Sequence, residues 1–132
     1  MPLERVLFIC LGNACRSQMA EAFARTYGKD VMVAESAGLA PAAAIPEETR
    51  QAMAGKNIDI SAQFPKPVSV FPRAHFDRVV NMSGYPISGL APTVEWKVRD
   101  PIGGTPEQYR VACEQIEQLV MKLILELRRN HK

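Results

Sequence analysis

Cys10 and Arg16 flank five residues in CLGNACR, and Ser17 follows at once. These residue types at this spacing suit nucleophilic attack on a bound oxyanion. Gly12 and Asn13 are the residue types most tolerant of positive φ. They allow the backbone to curl until the N–H groups of Leu11, Gly12, Asn13, Ala14, Cys15 and Arg16 face one point. A curl that runs into a helix N-terminus is an anion nest. Arg16 adds a planar fork that matches two oxygens of a tetrahedral ion. Cys10, at the base, sits in a positive field that favours the thiolate, the nucleophilic form. Ser17 can donate its hydroxyl to that thiolate. The competing account of Cys10 is plain packing, since cysteine is among the most buried residue types. Packing alone leaves Gly12, Asn13, Arg16 and Ser17 unexplained.

A thiolate that displaces an ester oxygen needs an acid to protonate what leaves. Asp100, in VRDPIGG, is the candidate. Pro101 biases Asp100 toward extended backbone, and Gly103 and Gly104 let the chain turn into the last helix. Asp-Pro also opens ordinary turns. The residues alone leave both readings open.

These groups need a scaffold. RVLFIC (5–10) is a nearly continuous apolar run, as expected of a parallel strand buried on both faces. A helix is predicted over 16–27, where Met19, Ala20, Phe23, Ala24 and Tyr27 recur at helical steps and Gly28 stops the pattern. VMVAESAG (31–38) reads as a second strand. PEETRQAMAGK (46–56) reads as a helix with Pro46 at its first position. DRVVNMS (77–83) is a third strand, 86–92 a loop, and TVEWKV (93–98) a fourth strand. Thr105, Pro106 and Gln108 start the last helix through a capping box. Its apolar face is Tyr109, Cys113, Ile116, Val120, Leu123 and Leu127. Alternating strands and helices predict an α/β fold: a three-layer sandwich with a central four-stranded parallel sheet and helices on both faces. In such sheets ligands sit beyond the carboxyl ends of the strands, which is where Cys10 falls.

The bulk numbers set limits. The 132 residues suit one domain, 1–132. A 47% hydrophobic share with 23% charged residues is a globular balance. The net charge of +2, without a basic run, predicts no nucleic-acid or membrane partner. The N-terminal apolar stretch is too short for a secretory signal and carries Glu4 and Arg5. Three cysteines are too few for a disulfide scaffold, so the expected location is cytoplasmic. Cysteine spacing and the distant His75 and His131 fit no zinc ligand set. No metal or other cofactor is expected.

CLGNACRS followed by QMAEA resembles the phosphate-binding loop and first helix of the low-molecular-weight protein tyrosine phosphatase family, whose fold is shared by the thioredoxin-coupled arsenate reductases. The resemblance continues in ESAG (35–38), IDIS (58–61), FDRVVNM (76–82) and DPIGG (100–104), and so spans nearly the whole chain in order. It implies Cys10 as nucleophile, Arg16 with the 11–16 amides as oxyanion clamp, and Asp100 as general acid, then base. It implies for Cys15 a reversible disulfide with Cys10 that protects against over-oxidation. A small loop residue is the alternative. Asn13, Glu21 and Ser36 match residues that brace the loop in relatives, some of which hold potassium there. Lys66 stands where a potassium-binding relative has an acid, and its ammonium can replace the ion. Glu21 and Lys66 read equally well as solvated charges.

Two activities follow from the resemblance. The first is a phosphate-monoester hydrolase of protein-tyrosine-phosphatase type, acting on a phosphorylated protein or a small phosphate ester as a monomer. The alternative is arsenate reduction at the same loop with an external thiol such as glutathione, mycothiol or a glutaredoxin. Thioredoxin-coupled reductases carry two further cysteines after the third strand, and residues 81–92 have none. RSQMAE and VEWKVRDPIGG are reductase-like. Ile102 and Gly103 replace the tyrosines that phosphatases place after the DP, leaving Tyr85 and Trp96 as candidates for an aromatic wall, with a core position the equal alternative for Trp96.

Overall fold

The computed structural model describes residues 3–90 and 92–130. Its elements in chain order are β1 (Glu4–Cys10), α1 (Arg16–Tyr27), β2 (Met32–Gly38), α2 (Glu47–Ala54), β3 (Arg78–Asn81), β4 (Thr93–Glu95) and α3 (Pro106–Asn130). The four strands form one parallel sheet in the order β2-β1-β3-β4. The predicted α/β fold with a four-stranded parallel sheet is what forms.

β1 is central, and its alternation divides the core. Val6, Phe8 and Cys10 face α1 and α3, packing with Phe23, Ile116, Val120 and Ile124. Leu7 and Ile9 face the other way, onto Ala37, Phe76 and Val79. The layer on that second face is not a long helix. Two 3-10 turns, Val68–Val70 and Arg73–His75, cover it with Val68 and the adjoining Phe71, and the loop after β3 adds Ile87 and Leu90. Each fully buried Leu, Ile or Phe is worth about 1.5–3 kcal/mol, so both faces of β1 contribute to holding it rigid.

Local signals mostly match their elements. Gly28 ends α1, its N–H bonding to the Ala24 carbonyl. The Thr105–Gln108 capping box forms, with Thr105 N–H donating to Gln108 Oε1 at 2.8 Å and Gln108 N–H donating to Thr105 Oγ1 at 3.3 Å. The named apolar face of α3 is buried throughout. Pro46 differs: it is the N-cap of α2, in extended backbone with ψ 151°, and the helix proper starts at Glu47. β4 is shorter than its apolar pattern. It is an exposed edge strand that pairs only with β3. Beyond the last bond, Trp96 N–H to the Asn81 carbonyl at 3.0 Å, the chain leaves the sheet and carries Val98 and Asp100 over the end of β1.

Candidate active site

The loop between β1 and α1 is turned inside out. Its carbonyls face outward, and each has a donor. Cys10 O accepts from Leu39 N–H at 3.2 Å, Leu11 O from Ala40 N–H at 2.8 Å, and Gly12 O from Ala42 N–H at 2.9 Å. Asn13 O accepts from Gln18 Nε2 at 3.0 Å, Ala14 O from Thr49 Oγ1 at 3.1 Å, and Cys15 O from Met19 N–H at 2.9 Å. There is no cis peptide bond among the described residues, so each N–H points opposite its carbonyl. The N–H groups of residues 11–16 therefore converge inward. They have no acceptor among the described residues.

This cup encloses about 260 Å³ and is lined by Cys10, Cys15, Arg16, Ala42, Asp100 and Ile102, among others. Cys10 is only 2% exposed and opens to the surface through it. Leu11, Gly12 and Ala14 also line it. Of the two residues expected to tolerate positive φ, only Asn13 uses it, at 49°. The tight glycine is Gly38 at the end of β2. A Cβ there would stand 2.9 Å from Asn13 N, Asn13 Cβ and Leu11 O.

A buried relay reaches the Cys10 sulfur, and its polarity is fixed as far as Ser17. Glu21, a carboxylate paired with Arg25 at 3.1 Å and with Lys66 Nζ at 3.8 Å, can only accept. Ser36 Oγ donates to Glu21 Oε1 at 2.5 Å, so Ser36 accepts from Asn13 Nδ2 at 3.0 Å. The Asn13 amide cannot flip, because its Oδ1 accepts from Lys66 N–H at 2.9 Å. Its second amide hydrogen goes to Ser17 Oγ at 2.7 Å. The Ser17 proton is then free for Cys10 Sγ, 2.9 Å away, and the second Ser17 lone pair can equally accept from a Cys10 thiol.

Arg16 is 6% exposed and anchored at depth. One terminal nitrogen donates to the carbonyls of Met82, at 2.5 Å, and Val98, at 3.1 Å. The other stands 3.5 Å from Asp100 Oδ2. Asp100 also opens a turn: its Oδ1 accepts from Ile102 N–H at 3.0 Å, and Gly103 takes φ 81°. Asp100 thus opens a turn and also stands beside Arg16 at the cup.

Cys15 lines the cup as a thiol. Burial pushes it up to about 12, against a hydrogen bond from Thr49 that pulls the other way. Cys10, Cys15 and Cys113 are all free. Cys113 packs against Met53 on the apolar face of α3, and burial raises it to about 11. His75 stacks on Phe71 and meets Phe76 edge-on, consistent with partial packing; His131 lies outside the described residues. Tyr85 and Trp96 do not wall the cup. They line a separate cavity beyond Arg16, with Trp96 also against Phe8, ring centres 5.8 Å apart.

Sequence reasoning missed several supports. Gln18, fully buried, ties Asn13 O to Phe64 O. Thr49 braces Ala14 and Cys15 from α2. A polar Gln18 among the apolar residues of α1 was a usable signal; Thr49 offered none.

Known proteins share this chain's sequence pattern and fold. A glutaredoxin arsenate reductase from Synechocystis sp. is 32% identical over 132 residues, covering 95% of this chain and 99% of its own. A putative arsenate reductase from Halobacterium salinarum is 34% identical over 124 residues, covering 88% and 87%. A solved arsenate reductase in the phosphate binding state superposes with a TM-score of 0.86 at 30% identity, covering 95% of this chain and 99% of that one. An arginine phosphatase from Geobacillus stearothermophilus, 24% identical with a TM-score of 0.81 over 96% and 94% of the two chains, shares the fold. No helix among the described residues is long and apolar enough to cross a membrane. The family model for low molecular weight phosphotyrosine protein phosphatase matches residues 5–132, and the chain belongs to that family.

Proposed function

We propose that the chain reduces arsenate, with Cys10 as the attacking thiolate and a thiol from outside the chain as reductant. The observation that carries this is the inside-out loop, with Cys10 at its base, the Ser17 hydroxyl 2.9 Å from the sulfur and Arg16 at the wall. Such a cup takes a tetrahedral oxyanion, and arsenate and phosphate are alike in shape and charge. Of the similar proteins named above, the Synechocystis relative and the phosphate-bound structure are arsenate reductases and the Halobacterium relative is a putative one, which favours arsenate over the ester hydrolysis that the loop alone points to first.

The steps balance without any group beyond arsenate and thiol. Cys10 sulfur bonds to arsenic, and one arsenic–oxygen bond breaks. Asp100, at the mouth, protonates the departing hydroxyl, which leaves as water. An external thiolate attacks the Cys10 sulfur, the sulfur–arsenic bond breaks, and its electron pair leaves on arsenic as arsenite. A second thiol cleaves the mixed disulfide and frees Cys10. Two thiols become one disulfide as As(V) becomes As(III). No internal thiol suits the second step: residues 81–92 hold no cysteine, Cys113 is buried against α2, and Cys15 stays protonated. A supply of reducing thiol places the reaction in the cytoplasm.

Hydrolysis of a phosphate monoester is the second reading, and the position of Asp100 over the cup favours it. Ile102, nearly half exposed at the mouth, gives an aromatic ester little to stack on. The test runs arsenate with glutathione or a glutaredoxin beside p-nitrophenyl phosphate. Arsenite formation with slow ester hydrolysis is expected, and Cys10→Ser abolishes both while phosphate still binds. Hydrolysis without arsenite would put the second reading first. Turnover surviving in Cys10→Ser would overturn both.

A further inference from the structure

A cavity larger than the cup lies beside it. It holds about 650 Å³ on the other side of Arg16, between the end of β3 and the chain leaving β4. That is far more room than a tetrahedral ion fills, and it lies within the usual range for small-molecule sites. Arg16 lines both spaces, and Asp100 on the cup side directly follows Arg99 on the cavity side. The Arg16–Asp100 pair is thus the partition between them.

The lining is chemically mixed in a definite way. Tyr85 and Trp96 supply flat apolar surface. Lys97 and Arg99 supply two exposed cations, neither of which forms a salt bridge among the described residues. Glu95 supplies one carboxylate, whose Oε1 already accepts from Asn81 Nδ2 at 3.2 Å. Two cations and one anion on a peptide-sized cavity complement a ligand with two carboxylates and one ammonium.

From this geometry we infer that the cavity is the docking site for the external reductant, a small anionic peptide thiol of the glutathione class, with Lys97 and Arg99 as its carboxylate contacts. The inference rests on the arsenate-reductase reading for the use made of the thiol, but not for its binding. It accounts for a chain that has a cup for the oxyanion and no thiol of its own to clear the adduct. The thiolate then attacks the Cys10 sulfur and arsenite leaves, with the balance given above.

Trp96, the one tryptophan, lines this cavity and reports on it. Titration of the full chain with S-methylglutathione, which cannot react, should change Trp96 emission saturably. The double variant Lys97→Glu, Arg99→Glu should bind at least fivefold more weakly. Its apparent KM for glutathione should rise by a similar factor. The KM for arsenate, the rate with mercaptoethanol and the hydrolysis of p-nitrophenyl phosphate should stay as in the parent, which also shows the variant to be folded. Absence of saturable binding, equal binding by the double variant, or weaker binding with an unchanged glutathione KM each overturns the assignment. A chain that reduces arsenate only with a glutaredoxin and ignores S-methylglutathione overturns it too. Saturable, charge-dependent binding without arsenite from any thiol leaves the site standing and sinks the arsenate reading instead.

Discussion

Asp100 Oδ2 stands 3.5 Å from the terminal nitrogen of Arg16 that the Met82 and Val98 carbonyls leave free. If Arg16 clamps the oxyanion and Asp100 is the acid, as proposed, the two compete for one point on the guanidinium, and a displaced carboxylate would sit beside the leaving oxygen.

This relationship separates the two candidate reactions. Asp100→Asn removes the competing charge and should tighten phosphate binding severalfold by calorimetry. The same change removes the proton donor, and general acids contribute about 10²–10⁴-fold. Hydrolysis of p-nitrophenyl phosphate should fall by about 10²-fold or more. Arsenate reduction should fall less, because its slow step under limiting thiol is attack on the Cys10 adduct. Equal losses in both assays would show that Asp100 serves them through Arg16 alone.

The glycines of the site make opposite predictions. Gly12 has no positive φ, and an added Cβ would meet only Ala14 and Ala42 at 3.8 Å, ordinary contact. Gly12→Ala should leave the thermal midpoint within about 4 °C, since a compatible Gly-to-Ala change is worth at most about 1 kcal/mol. Gly38→Ala drives a Cβ to 2.9 Å from the backbone of Leu11 and Asn13. It should lower the midpoint by several degrees and weaken phosphate binding, although Gly38 does not line the cup. A tolerated Gly38→Ala would mean that the loop does not depend on its seat against β2.

That contrast marks what the sequence makes legible. β1, α1 and α3 announce themselves through a continuous apolar run and helical periodicity. Cys10, Asn13, Arg16, Ser17 and Asp100 announce themselves because their side-chain chemistry is the signal. The braces act through backbone atoms, namely Lys66 N–H on Asn13, the Met82 and Val98 carbonyls on Arg16, and the 39–42 amides on the loop. Any residue type offers those atoms, so composition and spacing are blind to them. The second face of the sheet is hidden for a related reason: its 3-10 turns carry no period. Glu21 and Lys66, ambiguous as letters, become informative only when folding brings them to 3.8 Å.

Cys15 predicts a dependence on alkali. Burial raises its thiol from 9.0 to about 12. The unfolded chain releases this proton above pH 9, while the folded chain holds it. The contribution is fully present below pH 9 and is lost as pH rises from there toward about 12. At pH 10.5 the loss should reach about 2 kcal/mol, judged from a shift of roughly 1.4 kcal/mol per pH unit. Urea unfolding at pH 8 and pH 10.5 should show Cys15→Ala losing less stability over that interval than the parent. Identical losses would mean that Cys15 finds solvent in the folded chain.

Ser17 is the last link of the relay, and its removal tests whether the relay acts on sulfur. With Ser17→Ala the Asn13 amide loses an acceptor and the Cys10 sulfur loses a donor held at 2.9 Å. Hydrogen bonds to a charged partner are worth about 1.5–3 kcal/mol, and about 1.4 kcal/mol is a factor of ten. Iodoacetamide alkylation of Cys10 at pH 6 should slow by about tenfold or more, because only the thiolate reacts. Ser36→Ala, two links further from the sulfur, removes the Asn13 acceptor on the Glu21 side and should slow alkylation by a smaller factor. Ser36→Thr keeps a hydroxyl and should restore it. If Ser17→Ala alkylates at the parent rate, the thiolate owes its charge to the inward amides and Arg16 alone, and the chain from Glu21 serves only to hold the loop's shape.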